Sequence, residues 1–394
     1  MTTIFFFVVI LGFFIFVHEA GHFLAARFFK VKAEEFGFGF PPRIFGLVFN
    51  HKNKRWELVR GNKELKRRHT IYSLNWIPLG GFVKIKGEDG DDKPAAAGSD
   101  SFTKKAIWQR IIILFSGVAM NFLAAAFILS LGFFLGLPQA VGDNQDNLKQ
   151  AKIQIVDIAP NSPAKAMDLK PGDQITAIVL PDNSRVLVEG TEQVTQIIKA
   201  YQEQEIILEI KRGDDVYRFK GKPRKDYPKD QGSLGIVLTK TAIVSYPLAI
   251  SVKMGFAAMF DMTRAILSAL GQIVKDLVVQ GRTQADVAGP IGIIMLTNQA
   301  AEMGLAYLIQ FAAILSINLA IINILPFPAL DGGRILFLII EKIKKNPISR
   351  EFEKRVHLTG FYILIALMLF VTVRDVFKFQ DKFQVLWEKI TQII

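Results

Sequence analysis

Two histidines one helical turn apart flank a glutamate in His18-Glu19-Ala20-Gly21-His22, inside the apolar run from Ile4 to Ala26. On a helix, residues four apart project from one face, so His18 and His22 can hold one zinc ion between them. Glu19 then stands beside the metal, where its carboxylate can act on a bound water. Ionisable side chains at bilayer depth cost on the order of a few kcal/mol each, so they mark function by default. The competing reading is a pair of histidines hydrogen-bonding between packed helices.

Two histidines and a water leave zinc one protein ligand short. The chain has no cysteine, so the ligands must be histidine and carboxylate, and no disulfide or cysteine nucleophile exists. The candidate third ligand is Asp331, which follows Asn323-Ile324-Leu325-Pro326-Phe327-Pro328-Ala329-Leu330 in a strongly apolar stretch. Pro326 and Pro328 remove helical hydrogen bonds, so the backbone must bend or unwind there. An intramembrane Asp331 is costly unless paired or metal-bound. The alternative is an N-cap to the helix that follows. His51, His69 and His357 lie in polar or juxtamembrane segments without ligand spacing and read as surface residues.

The elements that must carry these groups are mostly membrane-spanning. Half of the 394 residues are hydrophobic, 33 of them Phe, and the mean hydropathy is +0.29. Apolar windows lie near Ile4–Ala26, Ile107–Leu137, Tyr307–Ile340 and Gly360–Val373. Three are long enough to cross about 30 Å of hydrocarbon, and the last must borrow a turn from its flanks. The first lacks a basic leader and a small-residue cleavage site, and is expected to be retained. The formal charge is +12. Its excess lies in residues 27–105 and 341–355, while 138–302 is close to balanced. Positive charge beside spans marks the cytoplasmic side. The first and third loops are therefore expected in the cytoplasm, with the middle segment and both termini outside. A nucleic-acid surface is not expected.

Between the first two spans, Phe36-Gly37-Phe38-Gly39-Phe40-Pro41-Pro42 cannot continue a helix. Ile77-Pro78-Leu79-Gly80-Gly81-Phe82-Val83-Lys84-Ile85 reads as an apolar hairpin centred on a Gly-Gly turn. Such strands suit a re-entrant β element, tolerated at membrane depth where it lines a protein cavity. A small cytoplasmic hairpin is the alternative. Residues 88–101 read as a linker. In the second span Gly117 and Asn121 lie one turn apart, a pattern for close helix packing and an amide bond across it.

Residues 152–223 form an α/β module whose Pro160-Asn161-Ser162-Pro163-Ala164 and Leu169-Lys170-Pro171-Gly172-Asp173-Gln174-Ile175 resemble a bacterial-type PDZ domain. Such domains bind a peptide or carboxyl terminus by strand addition, or merely block access. Residues 241–285 carry Lys253, Asp261, Arg264, Ser268 and Lys275 on one helical face, an amphipathic segment for the membrane surface. An extra pair of spans is the competing reading.

Taken together, these motifs resemble the site-2 proteases, intramembrane zinc metalloproteases, in particular the bacterial regulator-of-sigma-E type with a PDZ insertion. The matching segments are His18–His22, Gly37–Pro41, Pro78–Val83, Gly117 with Asn121, Gly289-Pro290-Ile291-Gly292-Ile293, and Asn323 to Gly333. Val118 stands where the family often has Pro. The resemblance implies one zinc ion on His18, His22 and Asp331, Glu19 as base, and substrate contacts from Asn323, Gly80, Gly81, Phe82, Val83 and Asn121. It implies a polytopic α-helical membrane protein with about four spans, a re-entrant β element and one inserted PDZ-like domain, in a bacterial inner membrane. The PDZ-like domain would lie outside the cytoplasm and the active site towards it. The expected halves are 1–137 and 286–394, and the expected substrates are pre-trimmed single-span proteins such as anti-sigma factors or signal-peptide remnants. A membrane-anchored zincin with a soluble site, a silent PDZ scaffold and a transporter are the rival readings. A transporter should show inverted repeats, and none is visible.

Overall fold

The computed structural model describes residues 2–50, 54–61, 69–88, 98–141, 151–213, 215–228, 231–281, 288–346 and 348–378. His51, part of the 88–101 linker, residues 282–285 of the amphipathic segment and the end of the 286–394 half lie outside them.

Between Thr3 and His18, helix α1 (Thr2–Phe28) is apolar on every face, as a span requires. Strands β1 (Ala33–Asn50), β2 (Arg55–Arg60) and β3 (Ile71–Ile85) follow, then a 3-10 turn (Phe102–Lys104) and helix α2 (Ile107–Leu135). Next come β4 (Leu137–Ala140), β5 (Lys152–Ile158), α3 (Pro163–Ala166), β6 (Gln174–Val179), β7 (Arg185–Leu187), α4 (Thr191–Ala200), β8 (Ile206–Arg212), β9 (Asp215–Gly221) and β10 (Ile236–Val244). Five helices complete the chain: α5 (Leu248–Gln280), α6 (Pro290–Met303), α7 (Leu305–Ile324), α8 (Asp331–Lys344) and α9 (Arg350–Lys378). Among the described residues four helices are long and apolar enough to cross a membrane: Ile4–Phe28, Ile107–Leu135, Leu305–Ile324 and Arg350–Lys378. The apolar window at 307–340 is therefore two helices, because the prolines end α7 and a separate α8 begins at Asp331. Helix α8 starts with Asp331 and ends with Lys342 and Lys344, charges placed to suit the helix dipole.

The contacts divide the chain into two compact units. The first comprises residues 1–129, 255–298 and 311–394. Its sheet has the order β2-β1-β3. β3 reverses direction between Leu74 and Gly81, with Gly80 at φ +84°, but its two arms do not pair with each other: Gly81 lies opposite Phe38 and Phe82 opposite Gly37, while Leu74 and Ser73 lie opposite the same two residues. The first half of β1 thus lies between the two arms, and β1 itself turns around Phe40–Arg43, so that Phe45–Val48 pair with Leu74–Ile71. Arg43 and Glu35 form a buried ion pair within that curl, and Asn75 Nδ2 donates to the Gly39 carbonyl at 2.9 Å. A buried cluster of Ala26, Val31, Ile85, Phe102, Ile113, Leu114 and Leu338 joins the ends of α1 and β3 to α2 and α8. These are the elements that carry the candidate site.

The second unit comprises residues 130–254 and 299–310. Its sheet runs β4-β10-β5-β6-β8-β9, with β7 paired to β6, over a core that includes Ile155, Ile178, Val194, Leu208 and Ile210. The sheet thus reaches beyond 152–223, since β10 pairs with β5 and β4 with β10. The segment taken as 241–285 correspondingly begins as the end of β10 and becomes helix only at Leu248. The Leu-x-Pro-Gly-Asp motif is anchored by fully buried Asp173, which accepts the Lys170 backbone N–H at 2.8 Å and two bonds from Arg212. That paired carboxylate also holds the Arg212 guanidinium above its ordinary pKa.

Candidate metal centre

The second half of α1 carries His18 and His22 on one face, both only 6% exposed. The Pro-broken segment after α7 brings Asp331 to the same place. His18 Nε2 lies 2.9 Å from Asp331 Oδ2, His22 Nε2 lies 3.3 Å from it, and the two Nε2 atoms are 3.2 Å apart. Ligand atoms about 2.0–2.1 Å from a tetrahedral zinc stand roughly 3.3 Å from one another, so these separations suit one ion. Among the described residues this is the group of three whose ligand atoms all fall within 4.8 Å.

The far sides of the rings say what the near sides can do. His22 Nδ1 meets the Ile113 carbonyl at 2.8 Å. A carbonyl only accepts, so Nδ1 carries the proton and Nε2 presents a bare lone pair. His18 Nδ1 lies 3.3 Å from the amide nitrogen of fully buried Asn121, whose Oδ1 has no partner. The two ends of an amide have the same shape, and rotating this one lets Oδ1 accept from His18 Nδ1–H. Nε2 of His18 is then bare as well. Two lone pairs and a carboxylate facing one another at about 3 Å repel unless a cation lies among them. The donor set, two imidazoles and a carboxylate, is one zinc favours.

Close packing shapes this pocket. A methyl group added at Gly117 of α2 would collide with His22 Nε2 and stand 2.8 Å from His18 Nε2, so only glycine leaves the ligand atoms their room. Gly332 plays the matching part on the other side. A side chain there would strike the carbonyls of Ile324 and Leu325, so its absence lets the first turn of α8 fold against the end of α7. Asp331 is the first residue inside α8, with Leu330 at the N-cap position, so its side chain is not the cap.

Glu19 is half-buried, and its Oε2 accepts the Val83 backbone N–H at 3.0 Å. The β3 strand approaches α1 so tightly that side chains at Gly80 and Gly81 would meet Ile15 and Phe16. The Gly80–Val83 stretch therefore lies beside the glutamate. Asn323 sits half-buried in the last turn of α7. His69 is half-buried and outside the group. His357 is not the surface residue its surroundings suggest: it is half-buried, and its Nδ1 accepts the Ala329 backbone N–H at 2.8 Å. No pattern in the sequence announces that contact, nor those of the Ile113 carbonyl or the Val83 N–H, because each involves a backbone atom. Asn121, expected among the substrate contacts, is fully buried against His18 Nδ1, and its one-turn spacing from Gly117 gives no sign of that partner.

A membrane-embedded two-histidine, one-carboxylate centre beside a strand edge defines a class, and similarity to known proteins gives the same class. Residues 6–367 match Peptidase family M50, and the chain belongs to that family, the site-2 proteases. It is an intramembrane zinc metalloprotease and a multi-pass membrane protein. It is 29% identical to the regulator of sigma-W protease RasP of Bacillus subtilis, over 95% of this chain and 98% of that protein. It is 28% identical to the zinc metalloprotease RasP of Geobacillus kaustophilus, over 95% and 97%. A relative from Clostridium perfringens is 31% identical over 92% and 95%.

Proposed function

We propose that the chain holds its zinc on His18, His22 and Asp331 and hydrolyses a peptide bond within or near the transmembrane segment of a pre-trimmed single-span protein. The observation that carries this is the meeting of three ligand atoms from residues 313 positions apart in sequence, beside Glu19. Zinc, when bound, supplies Lewis acidity to the attacking water and to the scissile carbonyl. Glu19 takes the water's proton on a carboxylate oxygen and later returns it to the leaving amine. The substrate lies extended along Gly80-Gly81-Phe82-Val83, where strand addition replaces the hydrogen bonds its helix gives up. Asn323 bonds the substrate strand or the developing tetrahedral centre, and Asn121 acts from behind His18.

The relative named as a regulator of sigma-W protease supports an anti-sigma factor as one substrate, with signal-peptide remnants as another. Residues 152–223 act as a PDZ-like module outside the cytoplasm that binds a peptide or carboxyl terminus, or excludes bulky substrates. The active site faces the cytoplasmic side of a bacterial inner membrane. The test compares wild type and Glu19→Gln, purified in detergent, for zinc content and for cleavage of a single-span substrate. One zinc in both and cleavage lost by about 10²–10⁴-fold in the variant supports the reading. Cleavage by Glu19→Gln at the wild-type rate overturns it.

A further inference from the structure

His357 lies on the last span, in a position that the chemistry above does not use. Its Nδ1 accepts the N–H of Ala329. Ala329 has a φ of +76°, in the left-handed region that residues other than glycine rarely adopt. The same helix presses on the neighbouring residue: a side chain at Gly360 would strike the Pro328 carbonyl, so α9 lies directly against this loop. Only extended Leu330 separates Ala329 from Asp331. We propose that His357 is a positioning residue, holding Ala329 in its left-handed conformation so that the Asp331 carboxylate meets the two histidines.

The lever is short and sensitive. Two Cα steps of about 3.8 Å place the carboxylate roughly 7 Å from Ala329. A rotation of roughly 10° at Ala329 then moves it by about 1 Å, twice the tolerance of about 0.5 Å within which a site must be held. The left-handed conformation is strained and persists only where its surroundings enforce it. One face of α9 enforces it at two adjacent points, through the Nδ1 acceptor at Ala329 and the close approach of Gly360 to Pro328. Because Nδ1 accepts, the imidazole proton sits on Nε2, so the ring is held as a single neutral tautomer.

This inference rests on Asp331 as a zinc ligand, and the experiment separates the two. Zinc affinity is measured by chelator competition on the full-length protein in detergent, with cleavage kinetics alongside. His357→Phe keeps the ring's bulk without the acceptor and is expected to bind zinc about 10–100-fold more weakly. Its kcat falls while KM stays as in wild type. His357→Asn places Oδ1 where Nδ1 was and is expected to restore affinity. Ala329→Gly in the His357→Phe background also restores it, since glycine adopts positive φ without strain. His357→Gln, which carries its acceptor one bond further out, bears the same expectation as His357→Phe if that variant does not fold. Wild-type affinity in His357→Phe or His357→Gln overturns the proposal. A loss that neither Asn nor the added glycine recovers overturns it too, showing a merely structural role. The control is His18→Ala: if it keeps zinc, the ligand assignment itself falls and the proposal with it.

Discussion

Replacing Gly117 by alanine tests the metal centre without touching a ligand. The added methyl would stand 2.8 Å from His18 Nε2, whereas ordinary contact begins near 3.4 Å, so that ring must move by 0.6 Å, and His22 by more. Moving α2 away to make room would open the close contact between Gly21 of α1 and the Ser116 carbonyl of α2. His22 is further tethered by its bond to Ile113. Overpacking of this kind costs about 1–3 kcal/mol. At about 1.4 kcal/mol per tenfold, zinc should bind about 5- to 150-fold more weakly. An opposing effect makes the result informative. Alanine is favoured over glycine inside a helix by about 0.8–1 kcal/mol, so without the collision the variant would simply be more stable. The assay is chelator competition in detergent together with thermal unfolding, with Phe127→Ala on the exposed face of the same helix as control. A more stable Gly117→Ala protein with wild-type zinc affinity would refute the geometry.

Two other perturbations address the strand edge and the second unit. Gly81→Pro removes a strand N–H and stiffens β3 beside Phe16, and should abolish cleavage while zinc stays bound; unchanged turnover would remove the strand from the mechanism. Glu209 accepts bonds from Arg185 and Arg218, which depress its pKa. A depressed carboxyl contributes stability above its ordinary pKa near 4.3 and loses it as pH falls through the lower folded value. The thermal stability of the second unit should fall as pH drops below about 4.3, and Glu209→Gln should flatten that dependence; an identical slope in both proteins rules the pair out as its source.

Much of the candidate centre is legible in the residues alone. His18, Glu19 and His22 obey helical spacing within one apolar run, and Asp331 follows two prolines that must break a helix, so local rules suffice for both. What local rules miss is pairing between distant segments. Gly80-Gly81 reads as the centre of a hairpin whose arms pair with each other, whereas the chain reverses just ahead of Gly81 and its arms pair with β1 on either side. The two glycines' lack of side chains serves contact with Ile15 and Phe16, which lie far away in sequence. Strand β10 escaped the PDZ-like segment because its partners β4 and β5 come almost a hundred residues earlier. His357 carries no ligand spacing because it serves a backbone N–H, and backbone groups leave no trace in residue identity.

The separation between His18 and Asp331 has a meaning in chain statistics. An ion held by both, as proposed above, would be a cross-link that closes a very long loop of the polypeptide. Closing such a loop costs entropy that grows only logarithmically with length, and a bound ion retains the closure it helps to form. Metal occupancy is therefore also a mechanical statement about the chain. With the ion so placed, the first and penultimate helices among the described residues would be bound to each other through a single atom. Stripping it leaves that tie to packing and hydrogen bonds alone, and the folded state weakens by the free energy with which it bound the ion.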